Sequence, residues 1–366
     1  MSTSAKVEEF RNVFEQSLTD IAERTGGVSA SDESVRERCI ILSGGVDTCA
    51  IMSAARKLGI KFGGALTVVT GDESPDLGFS SACAAEHGLE HHIVRLTADE
   101  LVDIFLPDTI ELLKIYNGML LRNSLVIAAV FKKAAALGFK HAFTGDGADE
   151  LFGGYSFMWR HTDPVVWREK RDSMCAQWTF STDELAGKYG ITAHSAYTAD
   201  RTTQWAIQNT ERSDCICVRP IRLFYGGPFK DHETGKLILR EAYDTVSSWR
   251  RKDPIEVGSG VTIIGKDPFW SERLSDDEFE AETKALVDRG YIIQSKENLV
   301  NFRIWEKTFG TDGVKLTKDD LSAMRGMKQR LPLGQGCVGC CFDVGDTMFC
   351  NLCGAYPAQR GVILEE

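Results

Sequence analysis

The chain has 366 residues, of which 43% are hydrophobic and 26% charged, and its formal net charge is −11. This composition excludes fibrous and disordered chains, and the length allows about two or three domains. The excess of acidic residues argues against sequence-independent binding of nucleic acid, and no apolar run approaches the roughly 20 residues of a membrane span. We therefore expect a soluble, cytoplasmic protein.

Taken in chain order, the sequence predicts strands that alternate with helices. Residues 5–24 carry apolar side chains three or four positions apart, which predicts an amphipathic helix. Short apolar runs predict strands at 39–42, 62–70, 92–96 and 141–144, with helices at 46–58, 77–87, 98–116 and 122–137. This alternation predicts an α/β fold with a doubly wound, mainly parallel sheet and sites at the carboxyl ends of its strands. Further helices are predicted near 236–248 and between 270 and 330, whereas 178–218 has no assigned structure.

A glycine-rich turn, Ser43-Gly44-Gly45-Val46-Asp47-Thr48, follows the first predicted strand. Its glycines allow a sharp turn that brings backbone N–H groups to phosphate oxygens, and the next helix adds the partial positive charge of its N-terminus. Asp47 can then hold a magnesium ion on that phosphate. A Walker-type loop is not predicted, because no Gly-Lys-Ser/Thr follows. The alternative is a strand–turn–helix junction that is merely rich in glycine.

An acidic turn follows the strand predicted at 141–144. Asp146, Asp149 and Glu150 place three carboxylates within five residues, and these would repel one another unless a cation lay between them. Magnesium is the cation we predict, and a solvated acidic turn is the alternative. Because both turns follow strands of one predicted sheet, we expect them to form one site.

On the residues of these two turns, the chain resembles the asparagine synthetase family. Residues 43–48 are similar to the pyrophosphate-binding loop of N-type ATP pyrophosphatases, and 145–155 are similar to the signature of the synthetase domain. Asp76, Arg122 and the segment Trp249-Arg250-Arg251-Lys252 with Gly258 extend the resemblance over roughly residues 38–265.

The resemblance implies a reaction in which ATP is cleaved between its α and β phosphates, and a carboxyl adenylate is attacked by a nitrogen nucleophile. Lys252 would stabilise the charge at the α-phosphorus, Asp146 would orient the nucleophile or take its proton, and Arg122 completes the implied catalytic set. Asp47 and Asp149 would hold Mg²⁺. The implied ATP-binding residues are Leu42, Ser43, Gly44, Gly45, Asp47, Thr48, Val69, Asp76 and Gly145.

The chain departs from the family in two respects. Glutamine-dependent members begin with a glutaminase domain whose nucleophile is the Cys after the initiator Met, whereas this chain has Ser2 and its first predicted strand begins at Cys39. The nitrogen is therefore expected from free ammonia, from an amine on the substrate, or from a separate ammonia-supplying subunit. Members that use aspartate carry Thr in the turn before the matching Arg, whereas Met119 and Leu120 here favour a more apolar small carboxylate.

Four cysteines near the C-terminus have the spacing of a metal site. Cys337, Cys340, Cys350 and Cys353 form two Cys-x2-Cys pairs separated by nine residues, which predicts four thiolates around a tetrahedral Zn²⁺. A closed four-Cys site has no open position, so we assign it to folding or docking. A redox pair or an iron–sulfur cluster is the alternative, and Cys341 is a spare thiol.

We therefore expect an ATP-dependent carbon–nitrogen ligase that acts on a small carboxylate. The alternatives are an enzyme of the same superfamily that transfers sulfur or an amine to an adenylated base in tRNA or other RNA, and a family member without catalysis whose tail docks a protein. The predicted divisions are an N-terminal helical extension (1–37), an ATP-binding domain (38–265), a helical region (266–330) and a zinc-binding tail (331–366). The sequence leaves a homo-oligomer open.

Overall fold

The computed structural model describes residues 3–29, 31–71, 74–323, 327 and 329–362. The chain forms two compact units, each assembled from two segments. The first unit comprises Met1–Arg95 and Val130–Gly260, and the second comprises Leu96–Ala129 and Val261–Glu366. The four divisions expected from the sequence stay a prediction.

The strands form one five-stranded sheet and one two-stranded hairpin. They are β1 (Arg38–Ile41), β2 (Gly64–Thr70), β3 (His91–Leu96), β4 (His141–Phe143), β5 (Thr192–His194), β6 (Cys217–Arg222) and β7 (Phe229–Thr234). The order in the large sheet is β3-β2-β1-β4-β5, and the pairs β1–β2, β1–β4 and β4–β5 are parallel. The predicted α/β fold with a mainly parallel sheet is confirmed.

Helices connect and cover these strands. They are α1 (Thr3–Arg24), α2 (Asp32–Arg36), α3 (Val46–Leu58), α4 (Pro75–Glu86), α5 (Ala98–Leu113), α6 (Gly118–Ala136), α7 (Ala148–Phe152), α8 (Ser156–Trp159), α9 (Pro164–Ala176), α10 (Thr182–Lys188), α11 (Asp200–Asn209), α12 (Arg212–Cys215), α13 (Leu237–Ala242), α14 (Ile255–Gly258), α15 (Asp267–Ser271), α16 (Asp276–Asp288), α17 (Lys296–Phe309) and α18 (Lys318–Ala323), with 3₁₀ turns at Val261–Gly265 and Thr311–Gly313. Within the described ranges, we find no helix with the length and apolar character needed to cross a lipid bilayer.

The core of the first unit lies between the sheet and the N-terminal helix. Phe10, Phe14 and Leu18 follow one another at intervals of four on α1, and all three are fully buried. The Phe14 ring lies 4.7 Å from the ring of Tyr197, so α1 packs into the same core as the segment that follows β5. The predicted helix at 5–24 is therefore part of this unit's interior.

The order of the strands creates a crevice beside β1. The chain runs from β1 outward to β2 and β3, and then crosses to β4 on the other side of β1. Ile40 of β1 is paired with Ala65 of β2 and with Phe143 of β4. At such a switch of direction, ligands bind at the carboxyl ends of the two adjacent strands. The two loops here are the glycine-rich turn and the acidic turn.

The second unit is built around α17 and the cysteine tail. The Tyr116 ring packs edge-on against Phe302 with 5.3 Å between the ring centroids, and Trp305 lies 5.3 Å from Tyr116. Helix α5 begins at a capping box, in which Thr97 and Glu100 each accept a backbone N–H of the other. The contacts of Tyr116 with Phe302 and Trp305 anchor the segment between α5 and α6.

Candidate functional site

The glycine-rich turn leads from β1 into α3 with its amide groups at the N-terminus of that helix. Gly45 is the N-cap residue and makes no side-chain capping bond. Gly44 has φ +68°, and a Cβ there would lie 2.5 Å from the backbone nitrogen of Ser80 and 2.8 Å from the carbonyl oxygen of Asp76. Both the left-handed backbone and the close approach of α4 therefore require glycine at this position. The turn has the shape of an anion-binding loop.

The acidic turn after β4 lies directly against this loop. A Cβ on Gly145 would lie 2.9 Å from the Cβ of Asp47 and 3.4 Å from Cγ2 of Thr48. Leu42 and Val69, at the ends of β1 and β2, are both fully buried beside the crevice strands. The structure therefore brings the two predicted turns together.

Two carboxylates from these turns converge on one buried ammonium group. Lys236 Nζ donates to Oδ1 and to Oδ2 of Asp47, at 2.7 Å each, and lies 2.8 Å from Oδ1 of Asp149. Lys252 Nζ lies 3.4 Å from Oδ2 of Asp149. The cluster thus contains two negative and two positive charges. Carboxylate oxygens are also the ligands that Mg²⁺ prefers, so Asp47 and Asp149 are the residues of this cluster that could hold such an ion.

Lys236 reaches the carboxylates because two glycines, Gly154 and Gly235, let the backbone segments approach. Lys236 itself has φ +63°, and its backbone N–H donates to the carbonyl of Phe152 within the acidic motif at 2.9 Å. A Cβ on Gly154 would overlap Oδ1 of Asp149, and one on Gly235 would overlap the carbonyl of Gly153. Gly154 and Gly235 therefore make room for the lysine.

The lysines determine the charge state of the two carboxylates. Burial alone would raise the pKa of Asp149, but the ammonium groups of Lys236 and Lys252 lower this pKa to about 2. Burial raises the pKa of Asp47, and Lys236 opposes that shift. Although burial lowers the pKa of Lys236, the two carboxylates more than reverse this effect, so the pKa is raised. Lys236 is therefore a permanent cation of the site.

Lys252 lies beside the acidic motif with its side chain 18% exposed. Its Nζ is 5.7 Å from the centroid of the Tyr155 ring, and the Tyr155 hydroxyl donates to Oε1 of Glu150 at 2.6 Å. The Phe157 ring stacks on Tyr155 at 5.4 Å. The structure thus brings Lys252 to the same turn as Asp149.

Arg250 connects the loop that carries Lys252 to the glycine-rich turn. Its Nη1 donates to the carbonyl of Gly44 at 2.8 Å, and its Nη2 donates to Oδ1 of Asp76 at 2.8 Å. The same carbonyl accepts a hydrogen bond from Oγ of Ser247 at 2.6 Å. Asp76, predicted as an ATP-binding residue, is thus engaged by Arg250, which holds the glycine-rich turn in place.

Asp146 lies at the start of the acidic turn with its carboxylate hydrogen-bonded. Thr144 Oγ1 donates to Oδ2 of Asp146 at 2.7 Å, and Ser195 Oγ donates to the backbone carbonyl of Asp146 at 2.6 Å. Burial raises the pKa of Asp146, and its hydrogen bonds oppose that shift. A carboxyl group with a raised pKa suits proton transfer.

Arg122 belongs to the second unit, where it forms an ion pair with α17. Its Nη1 donates to Oε2 of Glu297 at 2.5 Å, and both side chains are largely buried. A Cβ on Gly118, one helical turn earlier, would lie 2.7 Å from the same Oε2 atom. The guanidinium is therefore held in a defined position on α6.

The four predicted cysteine ligands lie together in the second unit. The Sγ atoms of Cys337 and Cys353 are 3.6 Å apart, those of Cys340 and Cys350 are 3.7 Å apart, and all four lie within 4.8 Å of one another. A tetrahedral ion with Zn–S bonds of about 2.3 Å requires sulfurs about 3.8 Å apart. Cys341 Sγ instead donates to the carbonyl of Gly290 at 3.4 Å.

Sequence reasoning missed Lys236 and the roles of Arg250 and Arg240. Lys236 is a single lysine between a hairpin and a short helix, without a motif of its own. Arg240 is buried and donates to the carbonyls of Gly235 at 2.8 Å and Ser248 at 2.7 Å, which links the two lysine-bearing segments. The sequence signal that could have indicated Lys236 is the pair Gly235-Lys236 directly before an apolar run.

The comparisons with known proteins point to one family. The family model described as asparagine synthase matches residues 31–219, just over half of the chain. A glutamine-hydrolyzing asparagine synthetase from Triphysaria versicolor is 30% identical over 303 residues, covering 76% of this chain and 49% of the relative. Asparagine synthetase B from Escherichia coli strain K12 is 28% identical over 222 residues, covering 57% of this chain and 36% of the relative.

The curated relatives are longer than the matched region. The probable asparagine synthetase from Dictyostelium discoideum is 26% identical over 234 residues, covering 59% of this chain and 40% of the relative. The chain therefore matches about half or less of the length of these relatives. Among solved structures, an NMN synthetase from Francisella tularensis is 14% identical with a TM-score of 0.27, covering 57% of this chain and 94% of that chain. On the family match, together with the loops and carboxylates that its residues form, this chain belongs to the asparagine synthase family.

Proposed function

We propose that this protein is an ATP-dependent ligase that activates a carboxylate as its adenylate and joins it to ammonia or an amine, with release of AMP and pyrophosphate. The observation that supports this most is the charge-balanced cluster of Asp47, Asp149, Lys236 and Lys252 beside an anion-binding loop. Because the two lysines offset the charge of the two carboxylates, the cluster does not repel the pyrophosphate end of ATP as two unpaired carboxylates would.

In this proposal the glycine-rich turn binds pyrophosphate through its backbone amides and the hydroxyls of Ser43 and Thr48, at the N-terminus of α3. The backbones of Gly44 and Gly45 give the turn its shape. The adenosine lies against the ends of the crevice strands, lined by Leu42, Val69 and Gly145. Asp76 contributes indirectly, since it holds Arg250 on the carbonyl of Gly44.

Asp47 and Asp149 would also hold a magnesium ion, which neutralises charge on the pyrophosphate when bound. A substrate carboxylate oxygen bonds to the α-phosphorus while the bond from that phosphorus to pyrophosphate breaks. Lys252 stabilises the negative charge on the α-phosphate oxygens. The nitrogen nucleophile then attacks the acyl carbon, AMP leaves, and Asp146 takes the proton released from nitrogen.

We propose Arg122 as the residue that binds the carboxylate substrate. Its pairing with Glu297 holds the guanidinium in one orientation. Met119 on the same helical turn is 42% exposed, which suits a small acid with an apolar portion. The nitrogen comes from ammonia, from a substrate amine, or from a separate ammonia-supplying subunit.

The experiment that tests this function is a screen for pyrophosphate release. The full chain is incubated with ATP, Mg²⁺ and a panel of small carboxylic acids, with and without ammonium. We expect AMP and pyrophosphate in equal amounts with one class of acid. Formation of ADP, or no release with any acid at any ammonium concentration, would contradict the proposal. The RNA-modifying alternative predicts salt-sensitive tRNA binding, which is measured on the same preparation.

We predict that Asp146→Asn slows amide formation by about 100-fold or more, because the nucleophile loses its proton acceptor. In the wild type, at a fixed concentration of unprotonated ammonia or amine, amide formation should fall as the pH drops through the raised pKa of Asp146, since protonation removes the base. The variant should lack this acidic limb while still releasing pyrophosphate. Asp183→Asn, at an exposed acid nearby, is the control and should keep the limb. An unchanged acidic limb in Asp146→Asn would refute the assignment.

We propose that the four clustered cysteines bind one structural Zn²⁺. Their short sulfur–sulfur distances suit a single ion, whereas the several irons of a cluster would hold their thiolates further apart. We predict about one zinc per chain by elemental analysis of protein purified without added metal. Iron with visible absorbance would contradict this prediction.

A further inference from the structure

The segment that joins α5 to α6 is held by hydrogen bonds to its backbone. Trp305 Nε1 donates to the carbonyl of Lys114 at 2.8 Å, and Asn298 Nδ2 donates to the carbonyl of Tyr116 at 3.1 Å. Both donors come from α17 and are buried. One side of this connection is therefore fixed by a helix of the same unit.

Another hydrogen bond to this segment comes from the cysteine tail. The backbone N–H of Tyr116 donates to the carbonyl of Leu352 at 2.8 Å. Leu352 is fully buried and lies between Cys350 and Cys353, two of the four clustered thiols. A peptide group inside one cysteine pair therefore binds the chain immediately before α6.

The residue after Leu352 and Cys353 makes a second contact with this region. Gly354 has φ +87°, and a Cβ there would lie 3.0 Å from Oδ1 of Asn117. That same Oδ1 accepts the backbone N–H groups of Met119 at 3.1 Å and Leu120 at 3.4 Å. Asn117 is thus the cap of α6, and the cysteine tail packs directly against the capping atom.

The capped turn carries the residue that we propose for carboxylate binding. Arg122 lies one turn into α6 and is paired with Glu297, whose carboxylate also lies against Gly118. A shift of the cap would move the first turn of α6 relative to Glu297. The position of the guanidinium therefore depends on the contacts of Tyr116 and Asn117.

We propose that the metal-loaded cysteine cluster positions Arg122 by holding the N-terminal turn of α6 through Leu352 and Gly354. This inference rests on the proposed function, because it assigns Arg122 to the carboxylate. A bound ion fixes the distance between the two cysteine pairs and with it the peptide groups of the second pair. Without the ion, the thiols have no common partner, and Leu352 loses the constraint that places its carbonyl at Tyr116.

The first test is hydrogen exchange on the full chain, with zinc bound, after removal of zinc by a chelator, and after return of one equivalent of zinc. We expect amides 116–122 to exchange about five- to tenfold faster without zinc, as for loss of one helix cap, and to recover when zinc returns. Amides of α3 in the first unit should keep their rates. Unchanged exchange at 116–122 in the stripped protein would overturn the proposal.

A pair of glycine variants tests the contact while zinc stays bound. Gly354→Ala adds a methyl group against Asn117, whereas Gly345→Ala adds one at φ +54° with nothing within 4 Å. Both should bind one zinc, and only Gly354→Ala should show faster exchange at 116–122. Equal exchange rates at 116–122 in the two variants would overturn the proposal. This outcome would count even if removal of zinc unfolds a larger part of the protein.

The nucleotide site provides an independent readout. Calorimetric titration with α,β-methylene ATP should give the same affinity for wild type, Gly354→Ala and Gly345→Ala, because the proposed nucleotide residues lie in the first unit. Failure of the wild type to bind this analogue would count against the proposed function alone. The exchange comparison would still decide whether the cysteine cluster holds α6.

Discussion

Replacing Lys236 with methionine is expected to abolish pyrophosphate release and to destabilise the protein. The change leaves Asp47 and Asp149 facing each other without the ammonium that both contact at 2.7–2.8 Å. We expect activity to fall by roughly 100-fold or more, because a preorganised cation is lost from the site. The free energy of unfolding should fall by about 3 kcal/mol at neutral pH, as for other broken buried ion pairs.

The pH dependence separates this electrostatic effect from a packing defect. Without the lysine, the folded-state pKa values of the two carboxylates rise above their unfolded values, so protonation favours the folded state. The stability difference from wild type should therefore shrink as the pH falls, as measured by urea unfolding at several pH values. Lys230→Met, at an exposed lysine of β7, is the control and should keep activity and stability. Wild-type pyrophosphate release in Lys236→Met would contradict the proposed site.

Replacing Lys252 with alanine should abolish pyrophosphate release while leaving nucleotide binding nearly intact. Lys252 is more exposed than Lys236 and, of the two carboxylates, forms an ion pair with Asp149 alone, at 3.4 Å, so both carboxylates keep their main counter-charge in Lys236. We expect a 100- to 1,000-fold loss in rate, about the effect of removing one group that stabilises transition-state charge. Binding of α,β-methylene ATP should change by only about threefold, since the glycine-rich turn is unaltered.

The neighbouring Arg251→Ala is the control for Lys252. Arg251 contacts Asp253 at 2.9 Å, so its loss removes a nearby positive charge without touching the carboxylate pair. It should retain most of the rate. Lys252→Arg should not restore the rate that Lys252→Ala loses, because a planar guanidinium differs in shape and in hydrogen-bond geometry from an ammonium. Full turnover in Lys252→Ala would remove this residue from the mechanism.

The strands that the sequence predicts share a recognisable signal, and those that it misses do not. β1 to β4 have short apolar runs, and each lies within a few residues of its predicted range. β5 has only Thr192, Ala193 and His194 at the edge of the sheet, without an apolar run. β6 contains Pro220, which argues against a strand when only sequence is considered. The predicted helix near 236–248 is shorter, because α13 ends at Ala242 and a turn follows.

The sequence predicts the anionic part of the site better than its cationic part. Asp47 and Asp149 lie in glycine-rich motifs whose spacing indicates their chemistry. Lys236 follows Asp47 by 189 positions and reaches it only through close packing of glycine backbones, which no local pattern reveals. For Asp76 the sequence identifies the residue but not its partner. Its match to the family does not reveal that Arg250 donates a hydrogen bond to its carboxylate.

The two lysines lie beyond the stretch that matches the family model, which ends at residue 219. A shortened version cut at that boundary would retain both turn motifs, yet would present two uncompensated acids to a polyanionic nucleotide. Surveys that judge distant homologues by those motifs alone would count such a chain as competent. For the proposed function, a stricter criterion is a lysine in each of the two later segments, and truncations for crystallisation should keep both.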